Sequence, residues 1–173
     1  METIQPDIIA PWEPRISSIT DMEEAKSTIK QSSGVLITTS SSAKNGIVGM
    51  GSIIYMANQN TPISLSVTLG PRTEQNLYTA ELTAIAQSMD KIAQLPLKEI
   101  TIVTSNLAVV QVINQPRRQS GQVNIDQIYQ INRSFKKRNI VTRVVWIIKN
   151  NKLVLGEKVK MTVHYTTRIG QTP

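Results

Sequence analysis

The chain of 173 residues contains no cysteine. Disulfides, thiolate metal sites and cysteine nucleophiles are excluded, and the composition fits a reducing compartment. Histidine is nearly absent: His164 stands alone, so a multi-histidine metal site is ruled out and histidine-based catalysis has one candidate at most. Aromatic residues are scarce, with one Phe, two Trp and four Tyr, so the core must be built mainly from Ile, Val, Leu and Ala. No window approaches the roughly 20 apolar residues of a membrane-spanning helix. The opening METIQPDIIAPWEPRI carries acids and three prolines and has no apolar stretch of signal-peptide type. These absences point to an intracellular protein, nuclear or cytoplasmic, that engages no membrane.

Negative charge is also in short supply. Nineteen Lys and Arg face twelve Asp and Glu, for a formal net charge of +7 and a pI near 9.8. Solubility alone accounts for such an excess; attraction to a polyanion is the sharper reading. The positive charges are clustered, at Arg117-Arg118 and Lys136-Lys137-Arg138, with Lys149, Lys152, Lys158, Lys160 and Arg168 following. The length suits one domain with a core that needs no crosslinks.

The stretch around which the chain is organised runs from Ile100 to Gln122. Its continuous apolar start suits a strand buried on both faces. Thr104, Ser105 and Asn106 are helix-capping types. Leu107, Val110, Val112 and Ile113 then recur at near-helical spacing until Pro116. A strand running directly into a helix puts the junction, Ser105, at the carboxyl end of a sheet, where α/β proteins place their chemistry.

Residues 1–20 read as an extended arm, with Pro6, Pro11 and Pro14 opposing regular pairing and Trp12 as the residue to dock it. Asp21 is a candidate N-cap for a short helix over 21–33. Three antiparallel strands follow: Val35 to Thr38, then Ile47 to Met56, then Ile63 to Leu69. The first two are separated by a polar tract at Thr38–Ser42 and an Asn45-Gly46 hairpin signal. Leu77 to Leu95 is a long amphipathic helix ended by Pro96. A fourth strand at Glu99–Thr104 leads into a helix at 106–115. Another helix spans Ile125 to the basic cluster, with Asn139 as a C-cap. Val141–Ile148 is a fifth strand, and the segment from Lys149 is ambiguous. The expected fold is α/β, a mixed five-stranded sheet (an antiparallel meander, then βα units) with helices on both faces. The expected organisation is an arm and short helix at 1–33, a folded domain at 34–165 and a flexible tail at 166–173.

This order resembles the RNase H fold, and local runs resemble the RNase H domain of fungal non-LTR retrotransposon reverse transcriptases. The similar pieces are Pro11-Trp12, Asn45-Gly46-Ile47-Val48-Gly49, Tyr78-Thr79-Ala80-Glu81-Leu82, Thr104-Ser105-Asn106 and Val145-Trp146-Ile147. The run from Asn114 through Gln115-Pro116-Arg117-Arg118-Gln119-Ser120-Gly121-Gln122 is the most specific. The resemblance implies four carboxylates holding two Mg²⁺ ions about 4 Å apart, which activate water and stabilise the leaving oxygen of a phosphodiester. Here the implied ligand positions fall on Ser40, Glu81, Ser105 and, near the end, Lys160. The loop histidine of the family falls near Asn150, and its Gly-Asn-Glu stretch becomes Leu155-Gly156-Glu157. One carboxylate of four remains. Serine hydroxyls are weak ligands for a hard divalent cation, and a lysine ammonium repels it.

Each singled-out residue has a plainer reading. Glu81 also suits the first turn of a helix as a charge on its dipole. Ser40 and Ser105 serve equally as polar caps, since no base lies near them in sequence. Arg117 and Arg118 also suit a solvated loop, and Lys136, Lys137 and Arg138 a helix end as well as a grip on phosphates. Trp146 and Tyr78 read as core or core edge, and His164 as a tail residue. The expectation is a catalytically inactive RNase H-like domain of retroelement origin that acts as a protein-interaction or regulatory module. No metal and no other cofactor is expected. The alternative is a metal-independent binder of RNA–DNA hybrid, double-stranded RNA or DNA. Homo-oligomerisation through an edge strand stays open.

Overall fold

The structure, a computed structural model, describes residues 9–56, 61–71, 77–117 and 121–148, without the side chains of residues 40–44, 48, 67 and 69. In chain order the elements are β1 (Ser17–Ile19), α1 (Met22–Gln31), β2 (Val35–Lys44), β3 (Ile47–Tyr55), β4 (Ile63–Pro71), α2 (Leu77–Ile92), β5 (Glu99–Thr104), α3 (Leu107–Asn114), α4 (Gln122–Lys137) and β6 (Val141–Trp146). They form one mixed sheet in the order β1-β6-β5-β2-β3-β4. Strands β1, β6, β5 and β2 run parallel, while β3 and β4 continue as the antiparallel meander. None of the described helices is long and apolar enough to cross a membrane.

The centre is β5. Five of its six residues are buried, among them Ile100, Ile102 and Val103. Removing such side chains from water contributes about 1.5–3 kcal/mol each. The alternation of the strands divides the core in two. Val35, Ile37, Ile54, Ile100, Ile102 and Val144 face α2, α3 and α4. Leu36, Val103, Val145 and Ile147 face Ala25 and Ile29 of α1. Helices thus cover both faces, as the pattern of the chain suggests.

Several local expectations hold. Asp21 caps α1, its Oδ2 accepting from the Glu24 amide at 3.0 Å. Asn45 and Gly46 both take positive φ, 54° and 75°, as the tight turn between β2 and β3 requires. The differences are instructive. The polar tract at Thr38–Ser42 is not a break: β2 continues to Lys44, because its backbone pairs with β3 residue by residue, Ser42 opposite Gly49. Helix α2 ends at Ile92 and β6 at Trp146, short of Leu95 and Ile148. The C-cap of α4 is Arg138, with Asn139 next in a left-handed conformation, φ 60°. The tail, including residues 166–173 and His164, lies outside the described residues.

The largest correction concerns the arm. Ser17–Ile19 adds a sixth strand, parallel to β6, with Ser18 opposite Val144. Trp12 does not dock it; it is 85% exposed. Buried Ile9 and Ile16 do so instead, helped by polar contacts. The Tyr129 hydroxyl accepts from the Ile16 amide at 3.2 Å and donates to the Ile113 carbonyl. The Asn114 amide donates to the Ile16 carbonyl at 2.9 Å. Glu13 holds Arg133 of α4 through two charge-assisted bonds of 2.8 and 2.9 Å.

Two contacts fix α4 alongside α2, running in the same direction. At one end Gly121, with φ 84°, lies against Leu82 and Tyr78; a Cβ there would come within 2.7 Å of the Leu82 Cδ1. At the other end the Arg138 guanidinium donates to the carbonyls of Ala93, at 2.6 Å, and Leu95.

Gly121→Ala should destabilise the protein by about 1–3 kcal/mol, since strain in φ and overpacking add, as read by urea denaturation. Tyr129→Phe should cost about 1–3 kcal/mol, because it orphans two buried backbone groups. Burial raises the phenol of Tyr129 above the ordinary tyrosine value, against the lowering by the Ile16 hydrogen bond and Arg15. The unfolded chain therefore ionises first. This stability is complete below the ordinary value and is lost as pH rises through the raised one. Tyr129→Phe should flatten that alkaline fall, leaving the part due to Tyr55, which burial also raises.

Candidate functional site

The strand-to-helix junction after β5 is built by its own hydroxyls and amides. Asn106 is the N-cap of α3, its Oδ1 accepting from the Val109 amide at 3.4 Å. The Thr104 Oγ1 accepts from the Asn106 amide at 3.1 Å and donates to a carboxylate oxygen of Glu81. The Ser105 carbonyl accepts from the Trp146 indole at 3.2 Å, which fastens β6 to the junction. The Ser105 side chain is exposed, whereas Thr104 and Glu81 are 1% and 5% exposed.

Ser40 belongs to the same end of the sheet. Thr38 of β2 pairs with Val103 of β5. Ser40 lies two residues beyond that pair on β2, toward the end of the sheet at which Ser105 follows β5. Glu81 reaches this end from the first half of α2. The structure therefore gathers Ser40, Glu81 and Ser105 at the carboxyl end of the parallel strands. Lys160 and Asn150 lie outside the described residues.

The residue types do not fit a pair of Mg²⁺ ions. Such a site needs several anionic oxygen ligands at close range. Among the described residues at this end, Ser105 carries a neutral hydroxyl, and the carboxylate of Glu81 is buried and hydrogen-bonded to Thr104. Among the described residues no group of three or more His, Cys, Asp or Glu could hold a metal ion. Thr104 was not singled out by sequence reasoning, although it sits in the Thr-Ser-Asn junction; its side chain faces the helix and so becomes the partner of Glu81.

The basic residues do not converge on this end. Exposed Arg117 follows α3, close to the start of α4; Arg118 lies outside the described residues. Lys136 and Lys137 are exposed in the last turn of α4, about 20 Å along the helix from its start. Arg138 is engaged with the end of α2, at the end remote from Glu81. The three consecutive cations thus divide into one structural clamp and two solvated lysines.

Thr104→Val removes the hydroxyl that serves both Glu81 and the Asn106 amide. It should cost about 1–3 kcal/mol of stability. Thr104→Ser should recover most of that loss in the same denaturation measurement.

Solved RNase H structures share this architecture. The N-terminal RNase H domain from Mycobacterium tuberculosis, solved as a fusion with maltose-binding protein, aligns with a TM-score of 0.54 at 14% identity, over 69% of this chain and 91% of that one. RNase H1 from Halobacterium salinarum gives 0.50 at 8% identity, over 69% and 89%. An RNase H1 isolated from compost by a metagenomic approach gives 0.50 at 15% identity, over 77% and 97%. At such identities the likeness is one of fold. No curated protein matches the chain. The family model described as reverse transcriptase-like matches residues 37–155, from the third residue of β2 through β6. With its RNase H-like fold, the chain belongs to the reverse transcriptase-like family.

Proposed function

We propose that this is a non-catalytic RNase H-like module of retroelement origin, in which the two-metal nuclease centre has been lost and the fold works by binding a partner protein. The observation that carries the reading is the chemistry at the carboxyl end of the sheet. Ser40 on β2 and Ser105 just after β5 belong to the same end of the sheet, and the carboxylate of Glu81 is hydrogen-bonded to Thr104. Without flanking carboxylates, a divalent ion would have to give up hydration water for neutral hydroxyls, which is unfavourable. Descent from fungal non-LTR elements is supported by the run Gln115–Gln122 and by the Ala80-Glu81-Leu82 helix start.

The preference for a protein partner rests on the separation of the basic residues. Arg117 and the Lys136-Lys137 pair occupy opposite ends of α4, and Arg138 is engaged elsewhere. A second reading, a metal-independent nucleic-acid binder, is favoured by the exposure of Arg117, Lys136 and Lys137 on a chain of net charge +7.

The wild-type chain should leave an RNA–DNA hybrid intact in Mg²⁺ or Mn²⁺, with no difference between wild type and Glu81→Gln. Cleavage that Glu81→Gln abolishes would overturn the reading. Hybrid binding that weakens steeply with salt and is lost in Arg117→Glu/Lys137→Glu would select the nucleic-acid alternative. A flat salt response together with a co-purifying protein would select the partner-protein reading.

A further inference from the structure

We propose that the end of the molecule remote from Ser105 carries a phosphate-binding pocket. A cavity of about 450 Å³ opens between the segment preceding β1, the last turns of α4 and the start of β6. Its wall includes Arg15, Asn132, Lys136, Asn139 and Thr142, with Ile16 on the apolar side. Val141 pairs with Glu99, the first residue of β5, whereas Ser105 follows its last. The pocket is therefore separate from the candidate site. The proposal stands whether or not the nuclease centre has been lost.

Three observations point to an anion. Among the described residues no acidic side chain lines the cavity, and the nearby carboxylate of Glu13 is neutralised by Arg133. The six polar residues in the wall, Ser17 included, all offer donors: a guanidinium, an ammonium, two amides and two hydroxyls. The Thr142 hydroxyl is buried, with the residue 7% exposed, and has no hydrogen-bond partner among the described residues. A buried hydroxyl left this way is unfavourable, and a bound acceptor would offset that cost.

The C-terminus of a helix ordinarily repels anions through its free carbonyls. Here the Phe135 carbonyl accepts from the amides of Arg138 and Ile140, and the Lys136 carbonyl accepts from Asn139. The negative end of α4 is thereby partly satisfied, while Lys136 adds a full positive charge. One guanidinium nitrogen of Arg15 is engaged with the Ala10 carbonyl at 3.2 Å, which orients the group and leaves its other N–H donors for the ligand. The volume suits a phosphate with a small group attached, and the chemistry is shared by the terminal phosphate of a mononucleotide and the backbone phosphate of a nucleic acid.

The test is an amide NMR titration of the full chain with inorganic phosphate, at ionic strength held constant with chloride. Saturable shifts are expected at Asn139, Ile140 and Thr142. Lys136→Ala should weaken binding at least about tenfold. Lys137→Ala, with the same change in net charge but outside the wall, should not. Thr142→Val should weaken phosphate binding with Lys136 in place. Competition by adenosine 5′-monophosphate would assign the terminal phosphate as the source; competition by an oligonucleotide lacking terminal phosphates would assign the backbone. Absence of saturation, equal losses in the two lysine variants, or competition by neither probe would overturn the proposal.

Discussion

The parallel pairing of β5 with β2 on one side and β6 on the other is the constraint on which the rest of the molecule depends. A strand hydrogen-bonded along both edges and covered on both faces has no freedom of register, because a slip of one residue would exchange its two apolar sets. Once Ile102 faces α2 and Val103 faces α1, the position of each following residue is determined. Thr104 is turned toward the helix that bears Glu81, and Ser105 emerges into solvent. The character of the candidate site is thus set by a packing requirement upstream of it. The side chain that the strand delivers outward at this junction is, in this chain, a hydroxyl.

A second organising element is the polar staple around Tyr129. One phenol joins three segments that are distant in sequence: the chain before β1, the end of α3 and the middle of α4. Asn114 and the Glu13–Arg133 pair reinforce it from either side. These contacts explain how a proline-rich segment with little apolar surface is held in place. They also account for the difference between Trp12, the conspicuous aromatic that remains in solvent, and Ile16, which is buried and satisfied at both backbone groups.

Much of the fold was legible in the sequence. The apolar run of β5, the period of α2, the Asn45-Gly46 turn and the Asp21 and Asn106 caps all express local physics that a single chain carries openly. The sixth strand was not legible, because Ser17–Ile19 has neither alternation nor apolar length; its pairing is dictated by Tyr129 and Asn114 about a hundred residues away. The continuation of β2 through Thr38–Ser42 was hidden for a related reason: a polar tract becomes strand when a partner offers the complete ladder. At the site, the position of Ser105 followed from the strand-to-helix pattern. The partnership of Thr104 with Glu81 did not, since it depends on the face each residue takes in the packed sheet. The division of Lys136, Lys137 and Arg138 was likewise invisible, because consecutive residues on a helix point in different directions.

The three-residue β1 has an importance out of proportion to its size. It occupies the outer side of β6 and satisfies backbone groups that would otherwise line an open border of the sheet. A chain nicked after residue 20 would retain β2 to β6 and every helix, yet the flank of β6 would become a template for strand addition by another molecule. The short strand that follows the proline-rich segment thus covers an edge of β6 that would otherwise be open to pairing.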